Sequence, residues 1–157
     1  DFSENYKPYN GIKKFEAGTP SVISLSAIEK GIDITLEAGI KNIRSKSKNL
    51  GDFLINLIKT ELEILNFEIT SPLVSENRGS HISIKHKEAW RICKLLIKGK
   101  INRKSIIPDF RPNNTIRLGF APLYVSYMDL FESIERIKEI INNKEFLLID
   151  NSKEAVT

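Results

Sequence analysis

An arginine stands in the middle of the otherwise apolar run Asn114-Thr115-Ile116-Arg117-Leu118-Gly119-Phe120-Ala121-Pro122-Leu123-Tyr124, which reads as a buried strand. A guanidinium is costly to desolvate, so Arg117 requires a counter-charge. Two sources are open: Asp109 on the neighbouring strand as a structural ion pair, or a ligand carboxylate, which the rigid fork of an arginine matches with two parallel hydrogen bonds. A second candidate is Gly18-Thr19-Pro20, a hydroxyl between a flexible and a rigid residue, just before Ser21 and the first free amides of a helix. Such a corner can hold an anion. The plainer reading is that Thr19 merely caps the helix, with Pro20 at its first position.

The other chemistry-bearing residues point to packing or solvent. His81 and His86 lie five apart across a strand end, should face opposite ways, and have no cysteine or carboxylate cluster to complete a zinc set. Cys93 sits on the inward stripe of a helix with no base in view, where a free cysteine is a small hydrophobe. The glycines occur in GSH, KGK and LGF contexts, none with phosphate-loop spacing. The lysine-rich stretch Lys94–Lys104 lacks interleaved aromatic residues on which bases could stack, so it reads as a solvated face.

The elements that must position these residues follow from periodicity. Residues 1–20 contain Pro8, Gly11, Gly18 and Pro20 and suit an extended arm connecting to something before it. Ile28, Ile32 and Leu36 recur at helical spacing from Ser21 to about Ala38, where Gly39 interrupts. A second amphipathic helix carries Ile43, Leu50, Phe53, Leu54, Leu57, Ile58 and Leu65. Beyond it the spacing predicts a strand over Phe67–Thr70, an alternating strand over Ser80–Lys85, and a helix over Lys87–Ile97 with Trp90, Cys93, Leu96 and Ile97 inward and Gly99 as its stop. Strands Ser105–Phe110 and Thr115–Phe120 flank the turn formers Arg111-Pro112-Asn113-Asn114. Ser126 or Asp129 opens a last helix carried by Leu130, Ile134, Ile137 and Ile141, before a polar tail over 150–157. Residues 21–149 thus form a helical linker and a small α/β domain with a mostly antiparallel sheet.

Composition bounds the setting. The chain has 157 residues, 41% hydrophobic and 28% charged, the balance of a soluble domain with an adequate core. The net charge of +4 is spread along the chain rather than gathered in one block, which gives little support to nucleic-acid binding. The apolar runs are too short to cross a membrane, the first residues lack a signal-peptide pattern, and the single cysteine cannot form an internal disulfide, so the expected location is cytoplasmic.

Three motifs carry a resemblance. FEAGTPSVISLSAIEKGIDITLEAGIKNIRSKSKNLGDFL, then RGSHISIKH, then IIPDFRPNNTIRLGFAPLY resemble, in order and interval over about residues 10–142, the C-terminal part of the kynureninase family, pyridoxal-phosphate enzymes of the class V aminotransferase branch. Departures are Ser21, where a second proline is common, and the Asn-Asn turn, where proline-aspartate is more usual. The resemblance implies the C-terminal small domain of a fold-type I transferase, preceded by long helices. It also implies a homodimer that shares its active site across the interface and hydrolyses L-kynurenine to anthranilate and L-alanine in tryptophan catabolism and NAD biosynthesis, with 3-hydroxykynurenine as the alternative substrate.

On that resemblance, Arg117 would clamp the substrate's α-carboxylate. Thr19 would reach the phosphate of pyridoxal 5'-phosphate in the other subunit. Gly18 matches a position that tends to be glycine in bacterial enzymes preferring kynurenine and serine in animal enzymes preferring the 3-hydroxy substrate. The lysine that holds the cofactor as a Schiff base belongs to the large domain that precedes this segment in the family. No lysine here stands in its motif, so no catalytic residue is expected in the segment, which should be inactive alone. The competing readings are the small domain of another class V enzyme, a cysteine desulfurase or aminotransferase, and a non-catalytic binding module. The expected set thus holds no metal, no nucleic acid and no membrane.

Overall fold

The computed structural model describes residues 5–16, 18–99 and 105–150. The chain divides into two units, residues 1–39 and 40–157. The first unit holds a short 3-10 turn over Gly11–Phe15, within the expected arm, and helix α1 over Val22–Ala38. Ser21 caps α1, its hydroxyl accepting from the Ser24 amide at 3.4 Å. Gly39 ends it with φ 77°, a backbone that glycine reaches without steric cost. No residue of α1 is buried, Ile28, Ile32 and Leu36 included.

The second unit opens with α2, Ile40–Leu57, whose amphipathic stripe buries Leu50, Leu54 and Ile55. The expectation of one helix to Leu65 is corrected: the ladder widens into a π turn over Ile58–Leu62 and tightens to 3-10 over Glu63–Leu65. Thr60 donates its hydroxyl to the carbonyls of Asn56 and Leu57 at 3.1 and 3.2 Å, inside the widened turn, the kind of back-bonding that loosens a helical ladder. Asn66 then turns the chain in the left-handed region, φ 66°.

Strands β1 (Glu68–Ile69), β2 (His81–Lys85), β3 (Asp109–Arg111) and β4 (Thr115–Gly119) form a four-stranded sheet in the order β1-β2-β4-β3, every neighbouring pair antiparallel. Helix α3 (Ala89–Lys98) lies between β2 and β3, and α4 (Tyr127–Asn142) follows β4. This is the mixed α/β small domain that the sequence implied. Strand β3 is shorter and later than expected. Pro108 has no amide to donate to a ladder, so pairing begins only at Asp109, and Arg111, assigned to the turn, belongs to the strand. The turn between β3 and β4 holds Asn113 and Asn114 at φ 64° and 58°, a region asparagine tolerates better than most side chains.

The helices cover one face of the sheet. Ile82, Ile84, Ile116 and Leu118 point into that layer and meet Leu50, Leu54 and Ile58 below α2's end, Ile92, Cys93 and Leu96 of α3, and Leu130, Ile134, Ile137 and Ile140 of α4. Each such side chain contributes about 1.5–3 kcal/mol by leaving water. Ile97, expected inward, is instead exposed. Gly99 stops α3 as expected, at φ 69°. Ser126 and Asp129 both open α4 as a reciprocal capping box, the Asp129 amide donating to the Ser126 hydroxyl and the Ser126 amide to the Asp129 carboxylate. The expected polar tail lies, from residue 151 on, outside the described residues, as do residues 100–104 of the lysine-rich stretch.

Candidate functional site

Alternation along the strands gives the sheet its second face. In β2, β3 and β4 the residues between the buried ones are His81, Ser83 and Lys85, Asp109 and Arg111, and Thr115, Arg117 and Gly119. Register sets Ser83 opposite Arg117 and Arg117 opposite Asp109, a polar row across three strands. Arg111 sits beside Asp109 on that face, opposite Thr115. A Cβ on Gly119 would meet nothing within 4 Å, so the sheet is bare beyond Arg117.

Arg117 is therefore not buried in the way its sequence surroundings suggest. Its neighbours Ile116 and Leu118 are buried, while its own side chain emerges on the open face and keeps 38% of its surface exposed. It donates from Nη2 to Asp109 Oδ2, so the ion pair weighed from the sequence is present. The same oxygen accepts from Arg111 Nε at 2.8 Å. Among the described residues nothing else pairs with Arg117.

Three other arginines show the contrast. Arg136, its side chain 6% exposed, places Nη1 and Nη2 on the two Glu145 oxygens at 3.0 and 2.6 Å, and this bond is the main cause raising its pKa. Arg78 is buried, pairs with Asp52 and donates to the Leu73 carbonyl at 2.6 Å. Its guanidinium passes so close to α2 that a Cβ on Gly51 would stand 3.0 Å from Nε, which explains a glycine in mid-helix. Arg44 donates to the Ser75 and Arg78 carbonyls at 2.8 and 3.0 Å. With the 2.8 Å hydroxyl contact of Ser47 and Ser80, Arg44 and Arg78 fasten the segment entering β2 onto α2. That network holds β2 in place beside Arg117, and the sequence reading missed it. The signal was there in Arg78 directly before Gly79-Ser80, a charge abutting a strand that must pack against a helix.

The remaining candidates separate. His81 stands exposed on the open face, whereas His86 is buried beyond the strand end, stacked on Phe67 with ring centroids 4.3 Å apart and its Nδ1 accepting from the Glu88 amide at 3.1 Å. Burial above all lowers the His86 pKa. Burial first, and the Asp109 carboxylate second, push the Cys93 thiol up to about 12, so Cys93 is a core residue and no nucleophile at neutral pH. No group of three potential metal ligands occurs among the described residues. No described helix is long and apolar enough to cross a membrane.

In the first unit, Gly18, Thr19 and Pro20 are all exposed. The capping alternative for Thr19 is corrected, because Ser21 takes that place and the helix starts at Val22 rather than Pro20. The Thr19 hydroxyl has no partner among the described residues. A Cβ on Gly18 would meet nothing within 4 Å.

Comparison with known proteins gives a consistent picture. Residues 43–137 match the family described as kynureninase C-terminal domain. The kynureninase of Bacillus cereus is 39% identical over 142 residues, 90% of this chain and 32% of that protein. The kynureninases of Geobacillus thermodenitrificans and Shouchella clausii are 36% and 34% identical over 156 residues, 99% of this chain and 35% of theirs. The chain spans about a third of the length of the curated relatives it matches.

Proposed function

Because the chain belongs to the kynureninase family, matched through that family's C-terminal domain, we propose that it is the C-terminal part of an enzyme hydrolysing L-kynurenine to anthranilate and L-alanine, acting as a cytoplasmic homodimer in tryptophan catabolism. One observation carries the reading: Arg117 presents an incompletely used guanidinium on the open face of a rigid sheet, while Arg44, Arg78 and Arg136 spend theirs inside the fold. Arg117 would bind and orient the amino acid through its α-carboxylate, taken by two parallel donors. Thr19 would donate to the phosphate of pyridoxal 5'-phosphate held by the partner subunit, and Gly18 would border the substrate's ring. When bound, the cofactor supplies the electron sink for breaking the carbon–carbon bond. The residues described here supply binding and orientation, and the lysine that anchors the cofactor is assigned to the large domain of the whole enzyme.

The test uses the whole enzyme with pyridoxal phosphate and L-kynurenine, following anthranilate by its fluorescence. Anthranilate and alanine in equal amounts are expected. Release of sulfur from cysteine, or amino transfer to a keto acid, with no anthranilate, would move the chain to another branch of these enzymes. The segment of residues 1–157 mixed with pyridoxal phosphate should develop no Schiff-base absorbance. A borohydride-reducible adduct at one defined lysine would refute the assignment of that lysine elsewhere.

A further inference from the structure

We propose that Asp109 and Arg111 are positioning residues for Arg117, together forming a receptor matched in geometry and charge to one carboxylate. The inference rests on the reading of Arg117 as the carboxylate-binding residue. A guanidinium has two edges that offer a pair of parallel donors, Nε with Nη2 and Nη1 with Nη2, and each Nη2 proton belongs to one of them. Asp109 meets Arg117 through a single oxygen on Nη2. Whichever proton it takes, the other edge stays whole. Asp109 thus fixes the direction of the side chain without consuming its fork.

Charge supplies the second half. A lone Asp109–Arg117 pair would be neutral and would attract an anion only weakly. Asp109 Oδ2 also accepts from Arg111 Nε at 2.8 Å, so two guanidiniums share one carboxylate and the trio retains a single positive charge. An incoming carboxylate of charge minus one balances it. The arrangement is enforced by the backbone: Asp109 and Arg111 alternate along β3, and the turn puts Asp109 directly opposite Arg117. In an antiparallel pair, opposed residues stand within reach of each other's side chains.

The experiment measures KM and kcat for L-kynurenine in the whole enzyme, with melting temperature beside them, for Asp109→Ala, Asp109→Asn, Asp109→Glu, Arg111→Gln, Arg117→Ala and the Asp109→Ala/Arg117→Ala pair. Asp109→Ala should raise KM about tenfold, the scale of a misdirected charged contact, and Asp109→Asn, which keeps an acceptor at that place, should recover most of it. Asp109→Glu, with the same charge one methylene further out, should raise KM about fivefold, and Arg111→Gln about threefold. In the Arg117→Ala background Asp109→Ala should change KM no further. If Asp109→Ala and Asp109→Glu lower the melting temperature with KM unmoved, Asp109 is only a brace and the inference is overturned. Equal KM effects of Asp109→Ala with and without Arg117 would overturn it too. If Arg117→Ala leaves KM unchanged, it is the reading of Arg117 itself that fails.

Discussion

On the proposed reading, recognition turns on Arg117 and Gly18, and each makes a separate prediction. If Arg117 clamps the carboxylate, replacing it by alanine in the whole enzyme would remove two charge-assisted hydrogen bonds of about 1.5–3 kcal/mol each, so the loss in kcat/KM should correspond to roughly 3 kcal/mol or more. Arg117→Lys should recover little, since a point charge cannot reproduce the fork. An unchanged kcat/KM in the lysine variant would remove the bidentate role. Gly18 offers no hydroxyl, so a 3-hydroxy group brought to it stays unpaired at about 1–3 kcal/mol, and L-kynurenine should be preferred. Within the chain itself a Cβ on Gly18 would meet nothing within 4 Å, so Gly18→Ser should leave its own fold undisturbed while it tests the idea. The ratio of kcat/KM for the two substrates should move toward 3-hydroxykynurenine in the serine variant. A ratio that stays put would show that the choice is made elsewhere.

At the scale of elements, much of the fold was legible because alternation and helical spacing report burial directly. Ile82 and Ile84 between His81, Ser83 and Lys85 announced a half-buried strand, and that is what β2 is. Arg117 misled for a physical reason: Ile116, Leu118 and Phe120 around it are all buried, but they share one parity, so the run resembled a buried strand although Arg117 itself stands on the open parity. Counting outward from the Asn113-Asn114 turn pairs Asp109 with Arg117, which made that partner legible. The sharing of Asp109 with Arg111 was not, because Pro112 drew Arg111 into the turn. The Arg78 anchor depends on a contact between distant elements, which no local pattern encodes. His86 illustrates the same kind of junction and carries a pH prediction. Its folded pKa lies below the ordinary 6.5, so the unfolded chain binds the proton more readily. Stability should therefore be full above about pH 6.5 and decline as pH falls through that value toward the folded pKa. Denaturant unfolding between pH 5 and 7.5 should show this slope, and His86→Gln should flatten it. A wild-type stability that rises on acidification would contradict the assignment.

At the scale of the whole molecule, the proposed homodimer makes it a question which subunit each residue would serve. Thr19→Ala should weaken cofactor retention by about 1.5–3 kcal/mol, a hydroxyl bonded to a charged group, with less effect on turnover at saturating cofactor. The damage should appear in trans. In mixed dimers of a Thr19→Ala subunit with one lacking the cofactor lysine, the site that loses cofactor should be the one opposite the variant, and loss confined to the variant's own site would refute the cross-subunit role. The two-faced sheet has a further outcome, for tolerance to mutation. In β2, β3 and β4 the core positions 82, 84, 110, 116 and 118 are even-numbered, and the open-face positions 81, 83, 85, 109, 111, 115, 117 and 119 are odd. Heritable change in specificity can accumulate on one parity while folding is guarded by the other. A saturation library scored once for abundance and once for anthranilate production should separate along that line: even positions depleted in both screens, Asp109 and Arg117 depleted only in the second.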